Sequence, residues 1–403
     1  MNTNYFHDGR LADATSLVLA IEAQLRPEIE TLRFNASLSG GAAGLALFYA
    51  KLRAQFPDPA FDEMLAKIEA GIYVLCSAGR LRDLRLFTGL TGVGFALEHI
   101  AARQSLPIRE LEELNDDLDE IIDEILNKPW GGHYDLVWGL VGIGVYALSR
   151  HRTNSRQRLF QKVYAQLMKL ATRSPAGLSW RTQPKFLGYE SKNGNYPDGN
   201  FNLGLAHGNP GVISLLSAAI GMGVDVPGIH TSLQDATCWL LGQGMSGALS
   251  RFGYVVDDKI ASRLSWCYGD LTISLAVIQS GKVLNDEKII QQGVEIGLDA
   301  AARTAASAQL NDHGLCHGFA GVGLVFSALH REVGHPAFQA AARGWYGYTL
   351  DAGGASLNNL QTLRDDGSRG LDAGALCGLS GIGLALLDAM NTQSDGWSKW
   401  MMI

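Results

Sequence analysis

The chain is short of cysteine, of clustered positive charge and of long apolar runs, and each shortage removes a class of protein. Its 403 residues carry 33 Lys and Arg against 40 Asp and Glu, a net charge of −7, and no basic cluster interrupts that balance. A nucleic-acid partner needs a concentrated positive surface, so none is expected. No apolar run reaches the roughly 18 residues needed to span a bilayer, so no transmembrane segment is expected. The opening residues, Met1-Asn2-Thr3-Asn4-Tyr5-Phe6-His7-Asp8, lack the basic start and apolar core of a signal peptide. Five cysteines, an odd number widely spaced, do not make a disulfide framework. The expected compartment is a reducing cytoplasm, with any membrane association running through partners.

Glycine, at 48 residues, is plentiful, and it is placed with a period. Gly-x-x-Gly followed by small and branched apolar residues occurs at Gly41–Gly44, Gly89–Gly92, Gly139–Gly142, Gly208–Gly211, Gly318–Gly321 and Gly378–Gly381. A seventh, degenerate copy runs from Gly269 to Thr272. The spacing, about 48 to 69 residues, leaves room for two helices per repeat. An amphipathic segment precedes each copy, at about 12–25, 61–75, 108–126, 156–171, 231–241, 286–302 and 336–350. In the third, Ile108, Leu111, Leu114, Leu118, Ile121, Ile122 and Ile125 recur at helical steps and predict its buried stripe. The glycine-led segments, such as 140–148, are apolar nearly all round, as fully buried helices are.

These periodicities predict an all-α protein: an α/α toroid of seven inner and seven outer helices forming one domain over 1–403. The exception is 174–205, rich in turn residues and without a helical period. It reads as an irregular insertion before the fourth inner helix, with short strands, lying over the ring mouth. For any one glycine pair the simplest role is close helix packing.

Aligning the repeats on the first glycine brings the chemistry into register. The residues just before it are Gly40, Thr88, Trp138, His207, Tyr268, His317 and Cys377. One step further back are Ser39, Phe87, Val137, Ala206, Cys267, Cys316 and Leu376. A lone cysteine or histidine is usually a packing or surface residue. His207, Cys267, Tyr268, Cys316 and His317, at equivalent positions in three successive repeats, point instead to a site. Two thiols and an imidazole are the soft and borderline donors of a zinc centre with one position open, so Cys267, Cys316 and His317 are the metal candidates. His207 is the acid–base candidate, because imidazole titrates near neutrality. Asp135 stands four before Gly139, where it either reaches the mouth or serves as a loop cap. Arg263 either holds a carbonyl group or lies on the surface. Cys377 reads as core with a nearby-thiol alternative, and Cys76 and Cys238 read as packing residues. His133 and His313 are candidates for groups behind the site.

With Ala206-His207-Gly208, Trp266-Cys267-Tyr268-Gly269 and Cys316-His317-Gly318 in this order, the chain resembles the lanthionine synthetase C-like family of lantibiotic cyclases. The resemblance implies the double helical ring, zinc on Cys267, Cys316 and His317, and Asp135, His207, Arg263 and Tyr268 as active-site residues. It implies thioether rings made by adding a peptide cysteine to a dehydroalanine or dehydrobutyrine of the same precursor peptide. Dehydration is then expected from a separate enzyme, with an exporter as a further partner. The sequence departs from the family where Asp270-Leu271-Thr272 follows Gly269 in place of a proline and glycine, which bears on how that helix starts.

Three other readings use some of the same residues. A thiol-binding relative would keep zinc and bind glutathione or a peptide without making rings. A prenyl-transfer subunit would use an aspartate among its zinc ligands and six helix pairs. A metal-free glycosidase would need paired carboxylates such as Asp365, Asp366 and Asp372.

Overall fold

The structure, a computed structural model, describes the chain except residues 1–3, 7–8, 32–34, 78–82, 103–108, 188–195, 247–248, 259, 364–366 and 392–394. Each of the seven glycine motifs opens a helix: Ala42–Gln55, Leu90–Ala101, Leu140–Ser149, Asn209–Gly221, Asp270–Leu284, Phe319–Val333 and Leu379–Met390. The amphipathic segments are helices too, at Arg10–Glu30, Pro59–Ser77, Arg109–Leu126, Thr153–Leu170, Ile229–Leu241, Glu287–Ala301 and Pro336–Ala355. The glycine-led helices are buried along nearly their whole length, Leu140 to Leu148 without a break.

The chain forms two compact units. One comprises residues 1–115 and 309–399, the other 116–308 and 400–403. In the first, the helix Phe319–Val333 packs on Leu379–Met390, that on Ala42–Gln55, and that on Leu90–Ala101. In the second, Leu140–Ser149 packs on Asn209–Gly221 and that on Asp270–Leu284. The amphipathic helices Pro59–Ser77, Thr153–Leu170, Ile229–Leu241, Glu287–Ala301 and Pro336–Ala355 each pack on the glycine-led helix before them. The helix Arg10–Glu30 packs on the last glycine-led helix, Leu379–Met390.

Two details differ from the helical pattern. Among the described side chains of Arg109–Leu126 the buried ones are Asn115, Leu118, Asp119, Ile122 and Leu126, while Ile121 and Ile125 are exposed. Ile108 and the Leu111 side chain lie outside the described residues. Polar partners draw the stripe around the helix. Asn115 donates to Gly94 O and to Glu98, and Asp119 accepts from Tyr146 and from the buried Arg150. Cys238 is exposed, contrary to its expected packing role, because Leu233, Ala236, Thr237 and Leu240 take the buried face of its helix. Cys76 is half-buried.

The 174–205 stretch includes the end of a short hairpin, with Ala171–Ser174 antiparallel to Gly177–Trp180, and a one-turn helix at Pro184–Phe186. Trp180 is fully buried, and its backbone N–H and C=O are both bound by the Asn209 amide at the start of the fourth glycine-led helix. Part of the stretch, 188–195, lies outside the described residues.

Candidate functional site

The repeats build the site through one local device. Six residues before each glycine, a side chain accepts the backbone N–H two residues on: Asn35 from Ser37, Asp83 from Arg85, His133 from Asp135, Asn202 from Gly204, Asp312 from Gly314 and Asp372 from Gly374. The carbonyl of the same residue accepts the N–H just after the glycine, as Asp312 O does from Phe319 and Asn202 O from Asn209. Each loop is thereby folded back onto its helix start, and the two residues ahead of the glycine are delivered at its rim. Asn, Asp and His all serve, because the turn needs only one acceptor atom.

The fifth repeat is the exception, with Arg263 at that position. Here Gly269 takes φ 102° and ψ 179°, a conformation that side chains disfavour. Asp270 then opens the helix, its two carboxylate oxygens accepting the N–H groups of Arg251 and Phe252. That is what the departure at Asp270 does: it ties the 250s loop to the start of the helix. Burial pushes the Asp270 carboxyl up to about 6, against the pull of those two N–H groups.

Hydrogen bonds also join the loops at equivalent positions. In the second unit the N–H of Ala206 donates to Cys267 O. In the first, Cys316 N–H donates to Leu376 O, Leu376 N–H to Ser39 O, and Ser39 N–H to Phe87 O. These residues are the column two before the glycine, so the register read from the sequence is physical.

Cys267, nearly buried, sits in a loop held by Trp266, whose indole N–H donates to Met401 O at 2.8 Å, and by Ser265, whose hydroxyl lies 3.4 Å from Cys267 Sγ. Of the three candidate ligands, Cys267 belongs to the second unit, and Cys316 and His317, adjacent in sequence, belong to the first. His317 Nε2 is 3.1 Å from the buried carboxylate of Asp312. Burial would raise that carboxyl, but the contact with His317 and the Gly314 N–H outweigh it and hold it low. His313 faces elsewhere, its ring on Phe319 and its Nδ1 3.3 Å from Thr349 Oγ1, and burial lowers its pKa. Cys377 is half-buried, with its carbonyl bound by Thr362.

The second unit pairs two residues far apart in sequence. His207 Nδ1 lies 2.6 Å from Asp135 Oδ2, with the Asp135 side chain fully buried and His207 about a third exposed. The other Asp135 oxygen accepts the Trp138 N–H at 2.7 Å. His133 Nδ1 accepts the Asp135 amide, so that ring is neutral, and burial lowers its pKa in the same sense. The Trp138 ring stacks beside His207 while remaining 45% exposed. Tyr268 OH accepts from Asn202 Nδ2 at 2.9 Å, and its ring packs on Tyr254. A Cβ on Gly204 would stand 2.6 Å from that ring, so only glycine lets Tyr268 lie against this backbone. The Arg263 backbone N–H donates to Tyr254 OH at 3.2 Å.

Trp138, Asn202 and Asp312 join the site without having been singled out by residue chemistry. The sequence carries a signal for the last two, in the Asn, Asp and His that recur six before the glycine. Trp138 stands in the same column as His207 and His317. Of the glycosidase carboxylates, Asp372 is used in its turn, and Asp365 and Asp366 lie outside the described residues. No described helix is long and apolar enough to cross a membrane.

The family model of lanthionine synthetase C-like proteins matches residues 34–402. The nisin biosynthesis protein NisC of Lactococcus lactis subsp. lactis is 24% identical over 370 residues, covering 87% of this chain and 84% of that protein. A solved structure of nisin cyclase superposes with a TM-score of 0.79 at 20% identity, over 95% of this chain and 96% of that one. The fold is thus the α/α toroid expected from the repeats.

Proposed function

The chain belongs to the lanthionine synthetase C-like family, and on that footing we propose that it is a zinc-dependent lanthipeptide cyclase. The observation that carries the reading is the family match over residues 34–402, with Cys267, Cys316 and His317 at equivalent positions ahead of their glycines. Two thiolates and an imidazole suit a borderline-soft, four-coordinate ion and leave one position for a substrate group. Zinc held there supplies positive charge that favours the thiolate form of a peptide cysteine at neutral pH.

The remaining chemistry falls to the protein's own side chains. The peptide thiolate forms a C–S bond to the β-carbon of a dehydroalanine or dehydrobutyrine, and the C=C π pair moves onto the α-carbon and its carbonyl oxygen as an enolate. Arg263 stabilises that oxygen. His207 donates a proton from Nε2 to the α-carbon, and the thiol proton restores it, so the addition balances without a co-reactant. Asp135 holds the imidazole by Nδ1 and so orients Nε2. Tyr268, fixed by Asn202, lines the pocket. The product is a lanthionine or methyllanthionine ring.

The relatives' names support a peptide substrate: one is a nisin biosynthesis protein and one a nisin cyclase. On this reading the whole chain, 1–403, acts as one cyclase domain in the cytoplasm. A separate dehydratase supplies the unsaturated residues, and an exporter removes the product. A thiol-binding protein that makes no rings would use the metal but give the His207–Asp135 pair no work.

The test is zinc per chain in wild type and in Cys316→Ala, followed by incubation with a dehydrated, cysteine-containing peptide. Ring closure leaves the peptide's mass unchanged and removes alkylatable thiols. One zinc, lost in the variant, with thiol loss only in wild type is the expected result. Absence of zinc after reconstitution, or thiols that persist with zinc bound, overturns the assignment.

A further inference from the structure

We propose that Asp312 is a positioning residue: it holds the His317 imidazole as the Nε2–H tautomer, so that Nδ1 is the ligand atom presented to the metal. The inference rests on the zinc reading above but concerns a residue outside the proposed ligand set.

Asp312 does two separable things. Its Oδ1 accepts the Gly314 N–H at 3.0 Å, which is the turn common to six of the seven loops. Asn35 and Asn202 make that turn with a side-chain amide, so it does not call for a second carboxylate oxygen. Oδ2 is that second oxygen. It is 3.1 Å from His317 Nε2 and has no other hydrogen-bond partner among the described residues. At 3.1 Å the contact is within ion-pair reach, short of a fully formed hydrogen bond.

Asp83 and Asp372 occupy the same position in their own loops but are exposed, so solvent can reach their second oxygens. Asp312 is 3% exposed. A carboxylate oxygen in that setting is costly unless it receives a donor, and the His317 ring is the donor beside it. Imidazole has two nitrogens. When one donates to a carboxylate, the other carries the lone pair a metal needs and becomes more basic.

The experiment compares wild type, Asp312→Asn and Asp372→Asn, each checked for folding by the thermal transition of its zinc-free form. Zinc affinity is then measured by competition with a chromogenic chelator. The side-chain amide introduced by Asp312→Asn keeps the turn acceptor but offers His317 an NH₂ in place of a carboxylate oxygen. That favours the Nδ1–H tautomer and blocks the ligand atom. Zinc should bind about 10–100-fold more weakly to Asp312→Asn, the range found for removing such outer partners, and unchanged to Asp372→Asn. Equal affinity in a folded Asp312→Asn, with zinc held by wild type, overturns the inference and leaves the zinc reading standing. A wild type that takes up no zinc removes both.

A second measurement does not depend on the variant folding. Long-range ¹H–¹⁵N correlation on histidine-labelled, zinc-free wild type should show His317 as the Nε2–H tautomer. A resonance pattern with the proton on Nδ1 overturns the assignment.

Discussion

His207 and Asp135, 72 residues apart in the chain, meet at 2.6 Å between Nδ1 and Oδ2. The carboxylate has no exposed surface, and its other oxygen is committed to the Trp138 N–H. A buried acceptor held on the far side of an imidazole fixes which nitrogen faces the substrate. Asp135→Asn should therefore retain zinc and lose about 10²–10⁴-fold in the rate of ring closure, the usual worth of a positioned acid–base group. Single-turnover loss of alkylatable peptide thiols measures this. A rate within about threefold of wild type would remove the pair from the mechanism.

Trp138 offers an exposed aromatic face beside that imidazole. An aromatic contact with substrate contributes about 0.5–1.5 kcal/mol beyond its buried area, equivalent to roughly a tenfold effect at the upper end. Trp138→Ala is expected to raise KM for the dehydrated peptide up to about tenfold, with a smaller change in kcat. A fall in kcat at constant KM would instead assign the ring to holding His207.

Asn209 joins the hairpin to the fourth glycine-led helix. Its Oδ1 accepts Trp180 N–H at 2.7 Å, and its Nδ2 donates to the carbonyls of Trp180 and Asn202, each at 3.1 Å. Asn209→Ala leaves buried backbone groups without partners, at a cost of about 1–3 kcal/mol. Urea unfolding should show that loss at unchanged m-value, and an unaltered midpoint would mean the hairpin rearranges to satisfy them.

Asp270 makes stability depend on pH. Its folded pKa of about 6 lies above the ordinary value of about 3.9, so the folded state holds the proton more tightly. Between those values the unfolded chain loses its proton first, and this group's contribution falls as pH rises. Above about 6 the loss is complete, on the order of 3 kcal/mol. Asp270→Asn lacks this slope, so its stability relative to wild type should improve by about that amount from about pH 4 to pH 7. Parallel denaturant melts at the two pH values test it; a constant difference would mean Asp270 stays ionised throughout.

Much of this site is legible in the chain because it is built from local repeats. A glycine, two residues of rim, and an Asn, Asp or His six back are all within one turn of backbone, so their roles recur wherever the spacing recurs. Cys267, Cys316, His317 and His207 stand out for that reason. Asp135 is harder to read, since a carboxylate near a loop is as good a cap as it is a partner for histidine. Its two oxygens turn out to do both, binding the Trp138 N–H and His207. The stripe of Arg109–Leu126 misleads for a related reason. Helical period identifies apolar faces, but Asn115, donating to Glu98, and Asp119, accepting from Tyr146, are buried against other helices, and Ile121 and Ile125 are exposed.

By itself the sequence determined the all-α repeat, the seven buried helix starts and the residues that carry donor chemistry, because these follow from period and side-chain type. Which of those residues touch was decided by the tertiary structure alone. Contacts such as Asp135 with His207, or the joining of Ala206 to Cys267, lie between loops separated by 60 or more residues. They depend on how helices pack side by side, and helix packing is a property of shape and volume summed over the core, which no local pattern encodes.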